Sequence, residues 1–492
     1  MKKYAALLLL VFIMPVFVFG QGPASIRGFP RLEPDPKARE FFNRGLLNNG
    51  FSWEDLAEIS VWASGGNVSA VGQIHATRAA IADSGQLPAG KREKAEFILD
   101  FLHRNVFRSY SKMQTRVDAI FVNGRFNCVS SSVLYMILCK AFGIEVSGVI
   151  TEDHAFVMVH IDGENIDVET TTAFGFNPGS RREFHDEFGR LTGFTYVPAQ
   201  NHHDRQTISP IELVSLIMSN RIVELENARR FAEAVPLAID RTALLSGNGA
   251  AAGWRSSASF FENPKRDMMN RLFNYSAFLI NSGREEDFLR WAAAASARYP
   301  DENFWQELIM AAANNRIQRF IRANQLTQAR TFLSGQKAAL SQSNYAQLDT
   351  TLLETELLSR ANRIRSAAEG NDVISAIENA RINGRIENSR AAEFLTFAIQ
   401  KTAAAISAAP GRDWLAAINF IENAVSRFGS NQELERALQT FRNNRAIDFH
   451  NNFAAAWNRR NFEEAGRILN EGLAEFPANR QLLLNREMLE NR

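Results

Sequence analysis

The chain of 492 residues holds two cysteines, Cys128 and Cys139, both within RFNCVSSSVLYMILCKAFGIEV, residues 125–146. A cysteine does nucleophilic chemistry as its thiolate, with a base to form the anion and a third group to hold the base. The unpaired N–H groups of a helix N-terminus stabilise such an anion. The run VSSSVLYMILCKAF predicts one helix, apolar around much of its circumference and ending at Gly143. Cys128 then stands where the helix starts, beside three serines, as a candidate nucleophile. Cys139 falls one helix away, roughly 16 Å along the axis at about 1.5 Å per residue. A disulfide requires Cα atoms within roughly 7 Å, so the two do not pair. Cys139 reads as a small buried apolar residue.

The nearest candidate base downstream is His154, in TEDHAFVMVHIDGENIDVETTT. Asp162-Gly163 is a strong signal for a two-residue hairpin turn. That turn sets Ile161 against Glu164, Val159 against Ile166 and Val157 against Val168. Those five aliphatic residues share one face of the ribbon. His154, Phe156, Met158, His160, Asp167 and Glu169 fall on the other. Phe156 lies opposite Glu169, so Glu169 is diagonal to His154, at about 7–8 Å between backbones, a gap a Glu side chain covers. Asp167 lies too far along the strand to help, and His160 reads as a surface or supporting residue. A four-residue loop would keep the faces but carry Glu169 away from His154, so the pairing depends on register.

A Cys at the start of a buried helix, Gly-Ile just after it, a strand opening HAFV and a second strand closing VETT together resemble the transglutaminase-like superfamily. The likeness covers roughly residues 90 to 200. It implies a papain-like core, with a Cys on a helix and a His and an acid on adjacent strands. The Val-Asp-Pro-Thr-like tetrad of that family aligns with Val168 to Thr171. Carried over by position, the resemblance makes Cys128 the nucleophile, His154 the base and Glu169 the orienting acid. Glu169 stands where the family has Asp, and Thr170 where it has Pro. The implied chemistry is attack of Cys128 on a carboxamide or peptide carbonyl, giving a thioester that water or an amine resolves. The oxyanion would be held by the Cys128 N–H and a second donor, with Asn127, Asn123 and Arg125 as nearby candidates.

These residues need elements to position them. The segment up to Asp118 carries helical patterns such as KREKAEFILDFLHRNVF, and residues 143–172 switch to three short β-branched strands. EFHDEFGRLTGFTYVP, with Phe184, Phe188, Phe194 and Tyr196, reads as core and a closing strand. From Ile211 the pattern is helical again. NRRNFEEAGRILNEGLAEFP places Phe462, Ala465, Leu469, Gly472 and Pro477 as a tetratricopeptide helix pair would. Trp414, Ala417, Ile421, Ala424 and Gly429 repeat the pattern, as do Phe288, Ala292, Ala295 and Pro300. The copies recur at roughly 41 to 48 residues, against about 34 for the standard repeat. The expected fold is therefore α+β: a papain/transglutaminase-like core with a helical lead-in, then an all-α array of helical hairpins. The expected divisions are a signal peptide at 1–20, a linker or wrapping arm at 21–36, the core domain at 37–205 and the array at 206–492.

The opening MKKYAALLLLVFIMPVFVFG has the basic start and short apolar stretch of a secretory signal. No later segment is apolar enough for a membrane span, so the expectation is an exported protein of the periplasm or cell envelope. A signal retained as an anchor is the alternative. Lys+Arg 55 against Asp+Glu 54, a net charge of +1, gives no reason to expect nucleic acid. NHHDR offers His202, His203 and Asp204, but adjacent histidines seldom converge on one ion, so no metal and no cofactor is expected. Two functions compete. One is a thiol enzyme acting on amide or peptide bonds of a protein substrate, with the array binding substrate or partner. The other is a non-catalytic binding or assembly protein whose core is degenerate.

Overall fold

The computed structural model describes residues 28–151, 154–179, 181–193, 196, 205–246, 264–409 and 413–491. The expected signal peptide, Phe194, and His202, His203 and Asp204 lie outside the described residues. Among these residues the chain forms 20 helices and six strands. It divides into two compact units, Met1–Pro300 and Asp301–Arg492. The coarse expectation of an α+β fold with a helical array holds.

In the first unit four helices lead in: α1 (Pro36–Asn48), α2 (Trp53–Ala63), α3 (Ser69–Ala82) and α4 (Lys91–Asn105). Strand β1 (Ser109–Tyr110) pairs in parallel with β2 (Arg125–Phe126), on either side of α5 (Val117–Asn123). Helix α6 (Cys128–Ala141) follows at once. Its side chains are buried continuously from Val129 to Cys139, as the all-round apolar pattern requires. Gly143, at φ +74°, turns the chain out of it.

The strands β3 (Glu145–Ile150), β4 (Ala155–Ile161), β5 (Glu164–Val168) and β6 (Gln206–Ile208) form one antiparallel sheet in the order β5-β4-β3-β6. Asp162 and Gly163 take φ of 50° and 85°, the left-handed pair that a tight two-residue turn needs. The register is the expected one, with Ile161 on Glu164, Val159 on Ile166 and Val157 on Val168. The five aliphatic residues of that face join the core that surrounds α6.

One element departs from expectation. The stretch read as core and closing strand is helix α7 (Arg182–Thr192) over most of its length. Phe184, Phe188 and Thr192 are its buried residues, and their four-residue spacing is a helical stripe rather than an alternation. The strand that closes the sheet is β6, further on.

Helix α8 (Pro210–Asn227) packs on α2, α6 and β3, and α9 (Phe231–Ser246) packs on α1 and α8. Both therefore belong to the first unit, which α10 (Pro264–Asn281) and α11 (Glu285–Arg298) complete. The described part of the arm before α1 wraps this unit. Arg31 holds both Asp240 oxygens, at 3.0 and 2.8 Å, and the Tyr299 hydroxyl donates to the Leu32 carbonyl at 2.6 Å.

The second unit is helical throughout: α12 (Glu302–Arg322), α13 (Leu326–Gly335), α14 (Gln342–Asn362), α15 (Ala367–Ile382), α16 (Asn388–Ala408), α17 (Trp414–Phe428), α18 (Gln432–Asn458), α19 (Phe462–Glu475) and α20 (Arg480–Glu490). Each helix packs on the next, and α12, α14, α16, α18 and α20 also touch one another in turn. This is a stack of helical hairpins. The small residues mark close approaches: a Cβ on Gly472 would lie 3.1 Å from both Leu482 and Phe449.

Candidate active site

Cys128 is the first residue of α6, and the cap before it is made in both directions. The Asn127 side chain accepts from the Ser130 N–H at 3.0 Å, and the Ser130 hydroxyl accepts from the Asn127 N–H at 3.0 Å. The cap serves the third residue of the helix. The Cys128 N–H, at the first, has no acceptor within the helix, as helix geometry dictates. Cys128 is partly exposed, while Cys139 is buried, and neither is in a disulfide.

His154 stands just before β4, and Glu169 just after β5. Its Nε2–H donates to Glu169 Oε2 at 2.6 Å, with the His side chain 9% exposed and the Glu side chain 0%. The second carboxylate oxygen accepts from the Thr171 N–H at 3.1 Å and the Thr171 hydroxyl at 2.8 Å. The Glu169 N–H donates to the Gly175 carbonyl at 2.8 Å. This loop closes so tightly that a Cβ on Gly175 would come within 1.7 Å of the Glu169 carbonyl oxygen. The Phe188 ring of α7 meets the imidazole edge to face at 5.3 Å, shielding the pair from water.

The electrostatics link all three groups. Burial is the largest influence on His154 and favours its neutral form. The Glu169 charge, the Cys128 sulfur and hydrogen bonds from both outweigh it, leaving the imidazole pKa raised well above its ordinary value. With Nε2 committed to Glu169, Nδ1 is the ring nitrogen available to the thiol. Tyr110 on β1 also feels the site: burial first, then the charges of Cys128 and Glu169, push its phenol up and keep it protonated.

A group of hydroxyls joins the nucleophile's helix to the acid's loop. Thr170 Oγ1 lies 2.8 Å from Ser131 Oγ and 2.9 Å from Ser132 Oγ, and all three residues are fully buried. The His103 ring of α4 meets the Thr170 carbonyl through Nε2 at 3.1 Å. Burial, the dominant influence, lowers the His103 pKa. A neutral ring with its proton on Nε2 donates to that carbonyl.

The structure thus brings Cys128, His154 and Glu169 together. Each of the three oxyanion candidates has a hydrogen-bond partner of its own. The Asn127 amide caps α6 and donates to the Lys112 carbonyl at 3.1 Å. The Asn123 side chain accepts from the Arg125 N–H at 2.9 Å, and the exposed Arg125 guanidinium donates to Ser111 at 2.7 Å. Asp167 pairs with Arg205. His160 bonds Ser147 at 2.9 Å and Asn165 at 2.7 Å. Tyr110, His103 and Thr170 were not read as site residues from sequence. The signal for Thr170 was the run of three serines in an apolar helix, since each buried hydroxyl needs a partner. Among the described residues no group of three or more His, Cys, Asp or Glu is disposed to hold a metal ion. No helix among them is long and apolar enough to cross a membrane. No family model and no curated protein matches the chain.

Proposed function

We propose that the protein is an exported thiol enzyme of transglutaminase-like type, with a papain-like core. It acts on amide or peptide bonds through Cys128, His154 and Glu169, while its tetratricopeptide-like helical array engages a protein substrate or partner. One observation carries this reading. Partly exposed Cys128 begins a helix, and its sulfur helps to raise the pKa of an imidazole that a buried carboxylate holds at 2.6 Å. The proton inventory fits. A His154 that keeps its proton is the partner a thiolate nucleophile needs, and Glu169 fixes both its orientation and its charge.

In the proposed reaction the Cys128 thiolate attacks the carbonyl carbon, and the electrons of the C=O bond move to oxygen. The Cys128 N–H binds that oxyanion. On collapse the C–N bond breaks, and His154 gives its proton to the departing amine. Water or a second amine then attacks the thioester, His154 takes the attacker's proton, and the thiolate leaves.

Alkylation by iodoacetamide, mapped by mass spectrometry, tests the reading. An ordinary thiol is about 0.3% ionised at pH 6. Cys128 in the native protein is expected to react there at least about tenfold faster than a free thiol. Cys128 in the H154A variant is expected to fall to the free-thiol rate. Equal rates for the native protein and a free thiol would leave a binding or assembly protein.

A further inference from the structure

One buried side chain touches both the helix that carries the sulfur and the loop that carries the acid. We infer that Thr170 is a positioning residue of this site. Its hydroxyl is the middle link of a directed hydrogen-bond chain that fixes Glu169 relative to Cys128 and polarises the peptide ending in the Cys128 N–H. The inference rests on the reading of Cys128 as an activated thiol.

The direction of the chain follows from counting protons. Ser131 Oγ lies 2.8 Å from the Asn127 carbonyl oxygen, which accepts and cannot donate, so the one hydroxyl proton of Ser131 points there. At 2.8 Å from Ser131 Oγ, Thr170 must then be the donor. That uses its own proton, so Ser132 donates to Thr170 across their 2.9 Å contact. The chain runs from Ser132 to Thr170 to Ser131 to the Asn127 carbonyl. All three hydroxyls are shut off from water, and donors in series polarise one another.

The chain ends where it matters. The Asn127 carbonyl also accepts the Ser131 N–H at 3.0 Å. Its peptide partner is the Cys128 N–H, which has no acceptor in the helix. Two donors on the carbonyl draw electron density from the amide and make that N–H a stronger donor to an oxyanion. On the other side Thr170 follows Glu169 directly. His103 grips its carbonyl, and Thr171 grips the carboxylate. The acid therefore has few ways to move without breaking the chain.

Thr170→Val keeps the shape of the side chain and removes the hydroxyl, and Thr170→Ser restores it. The full chain is alkylated with iodoacetamide between about pH 5 and pH 9, with melting curves in parallel. Thr170→Val is expected to slow Cys128 about tenfold near pH 6, the scale of one or two lost hydrogen bonds, and little near pH 9. Thr170→Ser is expected to stay within about threefold of the parent. Should Thr170→Val fail to fold, Ser132→Ala removes only the first donor and is expected to slow the acid-side rate by about threefold. A folded Thr170→Val or Ser132→Ala with the parent's pH profile overturns the inference and leaves the reading of Cys128 intact. A parent protein no faster than a free thiol defeats both.

Discussion

Glu169→Asp is a sharp probe of the site, because it installs the acid usual in the proposed family. A carboxylate is kept, but one methylene is lost. The present contact is 2.6 Å, and withdrawing the carboxylate by about 1.5 Å opens it to roughly 4 Å, past hydrogen-bond reach. The loop cannot slide forward to compensate. The Glu169 N–H is tied to the Gly175 carbonyl, and the following residue is tied to Ser131 and Ser132. A hydrogen bond to a charged group contributes about 1.5–3 kcal/mol, so the proton affinity of His154 should fall.

The assay is the rate of Cys128 alkylation against pH, with melting curves as the control for folding. Near pH 6 the Asp variant is expected to react about 10- to 100-fold more slowly than the parent, with the free-thiol rate as the floor. Glu169→Gln keeps the reach and removes the charge, and is expected in the same range. A folded Asp variant that matches or exceeds the parent would refute the reasoning. The position of the carboxylate would then not set the state of His154.

Three further outcomes follow from the same geometry. Burial pushes the Cys139 thiol up to about 12, so native protein should carry one alkyl group, on Cys128, and unfolded protein two. Gly175→Ala drives a Cβ into the Glu169 carbonyl and should cost about 3 kcal/mol or more by denaturant melting, with loss of Cys128 reactivity. The two half-buried histidines should tilt stability against pH in opposite senses. Lowered in the folded state, His103 takes up its proton more readily when unfolded. Its contribution is full above the unfolded value near 6.5 and is lost as pH falls below it. Raised in the folded state, His154 contributes fully below that value and loses its contribution as pH climbs towards the folded pKa. Melts of His103→Gln and His154→Gln should each flatten the corresponding limb.

What the sequence disclosed was what local chemistry decides. Asp162-Gly163 specifies its own turn, the turn specifies register, and register brings Glu169 within reach of His154 across the ribbon. The helix α6 was legible from its apolar run, while the reciprocal Asn127–Ser130 cap that fixes its first turn is added by the structure. What local pattern left open needed distant partners. The sequence offered Asn127, Asn123 and Arg125 as oxyanion candidates without choosing among them; the Lys112 carbonyl holds the Asn127 amide and Ser111 holds the Arg125 guanidinium. The α7 stretch was judged by its aromatics, whose spacing of four is helical. That α8 belongs with the sheet depends on the face its apolar residues find, on α2, α6 and β3, which no local pattern specifies.

The burial of α6 gives the site a further physical logic. Eleven successive residues, Val129 to Cys139, are enclosed on all sides, so little water lies beside the peptide dipoles to screen them. The positive end of those dipoles emerges at Cys128, where the structure first opens. In a low-dielectric surround the field at such a terminus is stronger than on a surface helix, where the same effect contributes about 0.3–1 kcal/mol. A polar substitution along the helix flank, such as Val133→Thr, would bring in a hydroxyl that folds back on the helix carbonyls. It would test whether this enclosure matters. A folded variant with unchanged Cys128 reactivity would confine the activating influence to the first turn and His154. A slower sulfur, more than 7 Å from the change at about 1.5 Å per residue, would implicate the helix as a whole.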